Sequence, residues 1–128
     1  MPRISIWFFL VATVYGLVGM GWGEHMAMSN DHALYPAHAH LNLLGWVGMA
    51  VYGTFYALSR DSYSPRLAWV QFFASNIGVL IMIPLLARLL ATGDESLGPL
   101  VGIGDGLVII GHLLFGWQIV RALRAAKA

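Results

Sequence analysis

Two histidines, one residue apart, open a long apolar segment as His38-Ala39-His40, and Asn42 follows one turn after His38. Imidazole nitrogens bind haem iron, copper or zinc, and an amide four residues away can support the first ring. An α-helix turns about 100° per residue, so His38 and His40 are expected on opposite flanks and in two different sites. The alternative is that both are interfacial side chains at the level of the lipid headgroups.

Three further polar side chains lie in or near apolar segments. His112 is central in the last segment, where it is either a haem ligand or a hydrogen-bond partner of another helix, Asn76 being one candidate. Asp105 could interact with the dipole at a helix N-terminus or belong to a polar network. Arg88 is either interfacial or binds a carboxylate such as a haem propionate through charge-assisted hydrogen bonds.

The region before His38 also carries donors that bind transition metals. His25 and His32 occur there with Met26 and Met28, and imidazole and thioether groups suit copper. One interpretation is a copper or zinc site on the outer face; the other is a solvated loop. The candidate metal ligands are His25, His32, His38 and His40.

Composition points to a membrane protein. Of 128 residues, 59% are hydrophobic and 10% are charged, whereas soluble domains carry about 25% charged residues. A net charge of +1 argues against nucleic-acid binding. The absence of cysteine excludes disulfides, thiolate-bound metals, iron–sulfur clusters and c-type haem attachment. Lipid is therefore the expected surrounding, and any bound metal or haem must use other ligands.

Four segments match the length of about 20 apolar residues that crosses a bilayer. We predict one all-α transmembrane domain over residues 1–128, with helices at about residues 4–22, 38–58, 67–91 and 100–123. Residues 23–37 then form a long first connection. The other two connections are short, which favours antiparallel neighbours and an up-down-up-down bundle.

Basic residues predict the orientation of the bundle. Six of the seven lysines and arginines flank one side of the predicted spans, and acidic residues dominate the other. Both termini are therefore expected in the cytoplasm, with the histidines on the periplasmic side of a bacterial inner membrane. The six are Arg3, Arg60, Arg66, Arg121, Arg124 and Lys127.

Residues 38–46 (HAHLNLLGW) resemble a motif of the haem-copper oxidase superfamily. A His-x-His pair before a glycine-containing apolar helix is similar to the tenth helix of the catalytic subunit, where the two histidines bind the high-spin and low-spin haems. Residues 40–44 (HLNLL) are also similar to His-Thr-Asn-Leu-Leu in bacterial nitric oxide reductases, whose histidine binds the low-spin haem. The close match covers one helix, and the stretch also resembles small bacterial membrane proteins described as oxidase-subunit-I-like.

The resemblance also concerns architecture. In that superfamily, twelve helices form three arcs of four, and the ligand histidines lie on the second helix of each arc. This chain has the number of helices of a single arc, and its histidines open the second helix. The resemblance implies a homotrimer that rebuilds the twelve-helix subunit, since heterologous contacts can close into a ring of three.

The resemblance implies bis-His haem b, with His40 matching the low-spin ligand and His38 the high-spin ligand. His38 of one protomer with His40 of the next is the expected pair, His112 is the alternative second ligand, and Asn42 and Arg88 support the site. Electron transfer or binding of O2 or NO would follow, with an unidentified redox partner. One chain shows no complete haem-copper centre, so oxidoreductase activity is left open. Copper or zinc binding and a structural, non-catalytic role are the alternatives.

Overall fold

The computed structural model describes residues 1–126, which form helices joined by short connections. Four helices are long and apolar enough to cross a membrane, which confirms the predicted fold class at that level. A 3-10 turn, Glu95–Leu97, precedes the last of them. Lys127, one of the basic residues in the charge argument, lies outside the described residues. The helices are α1 (Arg3–Ser29), α2 (Tyr35–Leu58), α3 (Pro65–Thr92) and α4 (Gly98–Ala126).

The first connection is much shorter than the sequence predicts. α1 continues through residues 23–29 and ends where Asn30 adopts a left-handed conformation with φ 55°. The prediction ended the helix where hydropathy falls, but Glu, Met and Ala are good helix formers whatever their polarity. His25 therefore lies on α1 rather than in a loop, and only residues 30–34 separate α1 from α2.

α2 is interrupted by a wider turn directly after His40. Tyr35–His40 and Gly48–Leu58 are α-helical, but the seven residues Leu41–Val47 form a π-helix. The hydrogen bonds of a π-helix join residues five apart, and such stretches are frequent at functional sites. Side chains beyond His40 therefore do not follow the 100° steps assumed from the sequence.

Glycines allow α1 and α2 to approach closely. A Cβ atom on Gly45 would lie 2.9 Å from Cγ of Tyr15, and one on Gly53 would lie 3.2 Å from Cβ of Phe8. The Ser5 hydroxyl donates a 2.8 Å hydrogen bond to the Gly53 carbonyl, which the missing side chain leaves accessible. Small residues at these positions let the two helices approach closely and associate through van der Waals packing.

Aromatic rings fill the centre of the bundle. Phe8 of α1 is fully buried and stacks on Tyr56 of α2 with ring centroids 5.7 Å apart. Its ring also makes edge contacts with Tyr52, at 5.6 Å, and with Phe72 of α3, at 5.1 Å. One ring thus joins three helices, in the edge-on and stacked geometries that aromatic pairs prefer.

α3 and α4 are in backbone contact through two glycines. A Cβ atom on Gly78 would lie 2.7 Å from the carbonyl oxygen of Gly104, and one on Gly104 would lie 2.7 Å from the amide nitrogen of Met82. Further along the same contact, a Cβ atom on Gly111 would collide with the Ser75 hydroxyl. Any side chain at Gly78 or Gly104 would therefore push the two helices apart.

We expect Gly104→Ala to lower the apparent Tm in detergent, because overpacking costs about 1–3 kcal/mol and outweighs the roughly 1 kcal/mol gained in helix propensity. Gly106→Ala on the same helix is the matched control, since a Cβ there meets nothing within 4 Å. Its Tm should be unchanged or higher. Equal Tm values for the two variants would contradict the close contact of α3 with α4.

Candidate functional site

His38 lies against α1 and is held there by Asn42. The Asn42 amide nitrogen is 3.0 Å from His38 Nε2, as the four-residue spacing predicts. The ring makes an edge contact with Trp22, with centroids 6.0 Å apart, and a Cβ atom on Gly23 would lie 3.2 Å from its Cε1. Nδ1 is buried and has no hydrogen-bond partner within residues 1–126. Asn42 thus occupies one ring nitrogen of His38, and packing on α1 encloses the other.

His40 lies on the other flank of α2 and is exposed. Its Nδ1 is 2.7 Å from the backbone carbonyl oxygen of Pro36. A carbonyl can only accept, so Nδ1 carries the proton and the neutral ring keeps its lone pair on Nε2. In metal-binding histidines, a hydrogen bond from the other ring nitrogen to a carbonyl or carboxylate fixes the tautomer in this way. His40 is therefore prepared to act as a ligand through Nε2.

His112 is paired with a residue that the sequence did not single out. Its Nδ1 is 2.8 Å from the hydroxyl of Tyr52. The candidate pair with Asn76 does not form, because the Asn76 amide accepts from the Tyr15 hydroxyl at 3.0 Å and donates to the Phe72 carbonyl at 2.8 Å. His112 is exposed on the surface of the single chain.

His40 and His112 line one cavity between α2 and α4, here named the histidine cavity. Its volume is about 440 Å³, within the range of small-molecule sites, and Asp105 is the third polar group on its wall. The remaining lining residues are apolar: Leu44, Val108, Ile109 and Leu113. Of the predicted site residues, His40 and His112 therefore line the same cavity, whereas His38 lies against α1.

The other candidate metal ligands are not gathered into one site. His25 is exposed on the last turns of α1, and His32 is exposed in the connection that follows. In the described part of the chain, no group of three or more His, Cys, Asp or Glu side chains could hold a metal ion. Within residues 1–126, the candidate copper or zinc ligands are therefore not brought together in one place.

Arg88 is exposed near the end of α3 and does not line the histidine cavity. Its charge acts on Asp94 in the connection to α4. Hydrogen bonds from the hydroxyl and amide of Ser96, at 2.6 and 3.0 Å, lower the pKa of Asp94 below its usual value, and the positive charge of Arg88 contributes further. The predicted contact of Arg88 with a haem carboxylate thus has no counterpart in the cavity wall of a single chain.

Comparison with protein-family models, curated proteins and solved structures finds no match to this chain. The interpretation of the site therefore depends on the geometry described above and on the sequence motif.

Tyr52 and Ser75 are the polar residues near the site that sequence reasoning missed. Tyr52 and Tyr56 occupy one face of α2, four residues apart, and two tyrosines inside an apolar segment are a usable signal for buried hydrogen bonding. The Tyr56 hydroxyl does donate to the Gln71 side chain. The partner of Tyr52, sixty positions away on α4, could not be inferred from spacing.

We expect Tyr52→Phe to change the ring-nitrogen shifts of His112 in 15N NMR spectra, because the 2.8 Å hydrogen bond to Nδ1 is lost. The stability cost should be about 0.5–1.5 kcal/mol. Tyr63→Phe is the matched control, since the Tyr63 ring packs on Tyr56 but its hydroxyl is not paired with His112. Unchanged His112 shifts in Tyr52→Phe would show that the pair is absent.

Proposed function

We propose that this chain is an integral membrane protein related to the haem-copper oxidases and that it binds haem b. Its function would be to transfer electrons or to bind O2 or NO. His40 would bind the haem iron as one of its ligands. His112 is the preferred second ligand, in place of His38 from a neighbouring protomer, because His112 lines the histidine cavity and His38 does not. The observation that carries the proposal is the Nδ1 hydrogen bond of His40 to the Pro36 carbonyl, which leaves Nε2 free.

The donors and walls of the cavity fit such a group. Two imidazoles provide nitrogen ligands, and four aliphatic side chains provide the apolar surroundings that a porphyrin face requires. A haem held there supplies a one-electron iron couple, and an open coordination position would add gas binding. The protein fixes the tautomer of His40 through Pro36 and orients His112 through Tyr52.

We also propose that the chain functions as a homotrimer in an inner membrane. An up-down-up-down arrangement with cytoplasmic termini follows from the arginine distribution and would place His40 on the periplasmic side. The most apolar part of the last helix is only 17% buried, the lowest value of the four spans. Asp105 and His112 are exposed on this helix at positions where polar groups facing lipid are costly. A neighbouring protomer would cover them.

Protein purified in detergent from haem-sufficient cells should show a Soret band, with spectral changes on dithionite reduction. His40→Ala should abolish or strongly reduce haem content, and His112→Ala should reduce it or produce a high-spin, carbon monoxide-binding form. His25→Ala and His32→Ala are the controls, because both residues are outside the histidine cavity. Their spectra should match that of the unmodified protein.

Colourless protein, or a Soret band that survives in the His40→Ala variant, would overturn the assignment. Stoichiometric copper or zinc that is lost when His32 and His38 are replaced together would instead support the metal-binding alternative. Copurification of large partners, with neither haem nor metal, would support a structural role.

Native mass spectrometry tests the assembly separately. The polypeptide mass should be three times the 14.0 kDa of one chain, plus any bound cofactor. Asp105→Leu should shift the distribution of oligomeric states away from the trimer if a neighbouring protomer covers this carboxylate. A monomer in mild detergent and in nanodiscs would rule the trimer out and leave the haem assignment to stand on the spectra alone.

A further inference from the structure

A small polar cavity, here named the arginine cavity, lies at the end of the bundle where α2 connects to α3. Residues 61–63 of that connection form one wall, and the last turns of α4 form the other. Its volume is about 300 Å³, and two guanidinium groups and one carboxylate belong to its lining. The lining residues are Asp61, Ser62, Tyr63, Trp117, Arg121, Arg124 and Ala125.

Hydrogen bonds of a buried side chain hold the two walls of this cavity together. Gln118 of α4 is fully buried; its side-chain amide donates to the Ser64 carbonyl at 2.9 Å and accepts from the Ser64 backbone amide at 3.0 Å. In the same connection, the Tyr63 ring packs on Tyr56 of α2 with centroids 4.9 Å apart. The spacing of the walls is therefore set by the protein, which lowers the entropy cost of binding a ligand between them.

The two arginines of the cavity are placed to act on one anion. Arg121 and Arg124 are three residues apart on α4, and side chains at this spacing are neighbours on one helix face. The ring centroid of Trp117 is 5.7 Å from Cζ of Arg124, so the indole restricts where this guanidinium can lie. The donors of a guanidinium match the oxygens of a phosphate in both geometry and charge. The cavity therefore favours a phosphate group.

The position of the cavity favours a lipid phosphate over a soluble one. It lies where two helices of membrane length end, which is the level of the lipid headgroups, and tryptophan and tyrosine are enriched at that level. Ile103 and Ile110 precede Trp117 at intervals of seven residues, and all three side chains are about half-exposed. Seven residues make two helical turns, so these three residues form one apolar stripe, which Arg124 continues. A molecule with a phosphate at one end and an acyl chain at the other fits this face.

We propose that the arginine cavity binds the headgroup of an anionic phospholipid. The phosphodiester lies between the guanidinium groups of Arg121 and Arg124, and one acyl chain follows the apolar stripe. The lining carries two positive charges and one negative charge, so a headgroup with one net negative charge leaves the site neutral. Asp61 is exposed, and solvent weakens its repulsion of the phosphate. This binding rests neither on the haem assignment nor on the trimer.

The probe is dioleoylphosphatidylglycerol, titrated into the purified full chain in detergent, with bound lipid counted by native mass spectrometry. One lipid should bind per protomer, about fivefold more tightly than dioleoylphosphatidylcholine. Arg121→Gln and Arg124→Gln should each raise the Kd about fivefold, and the Tm should not change because both side chains are exposed. Asp61→Asn removes a like charge and should lower the Kd, by up to about fivefold.

Arg66→Gln is the matched control, because Arg66 is exposed at the same end of the bundle but does not line the cavity. Its Kd should stay within about twofold of the unmodified protein, whereas an equal loss would assign the binding to diffuse surface charge and overturn the proposal. A higher Kd in Asp61→Asn would indicate a zwitterionic headgroup and overturn it as well. Glycerophosphoglycerol, which lacks acyl chains, should not displace the lipid at about a hundredfold excess. Full displacement would make the cavity a site for soluble phosphates instead.

Discussion

Inside a bilayer, each hydrogen-bonding group must find its partner within the protein, since an unpaired group costs several kcal/mol. Three hydrogen-bonded pairs of this chain fit that constraint. Tyr15 is paired with Asn76, Tyr56 with Gln71, and Tyr52 with His112, each pair joining two helices. The interior is therefore a set of cross-helix hydrogen bonds embedded in aromatic packing.

The atoms that break this rule are informative because they are few. Within residues 1–126, the buried side-chain atoms without partners are His38 Nδ1, Gln71 Nε2 and Ser75 Oγ. Ser75 lies in the contact of α3 with α4, and His38 lies against α1. The exposed polar groups His112 and Asp105 line the histidine cavity. The buried unpaired atoms thus lie on α2 and α3, whereas the exposed polar groups lie on α4.

Hydropathy was sufficient to predict four membrane-length helices. His38 lies against α1, whereas His40 lines the cavity between α2 and α4. The prediction was wrong for residues 23–29, where helix propensity rather than hydropathy determines the end of α1. The Tyr52–His112 pair joins residues far apart in sequence, and periodicity carries no information about such contacts. The π-helical stretch of Leu41–Val47 was not predicted either.

A π-helix contains one residue more than the α-helical turn it replaces, which gives this stretch a mechanical consequence. If the extra residue moved by one turn along Leu41–Val47, every side chain between its old and new positions would rotate about the helix axis. Leu44 and the rest of the wall facing α4 would then be re-aimed while Pro36 and His40 kept their hydrogen bond. The side chains that face α4 beyond His40 therefore depend on the hydrogen-bond register of Leu41–Val47 as well as on residue type.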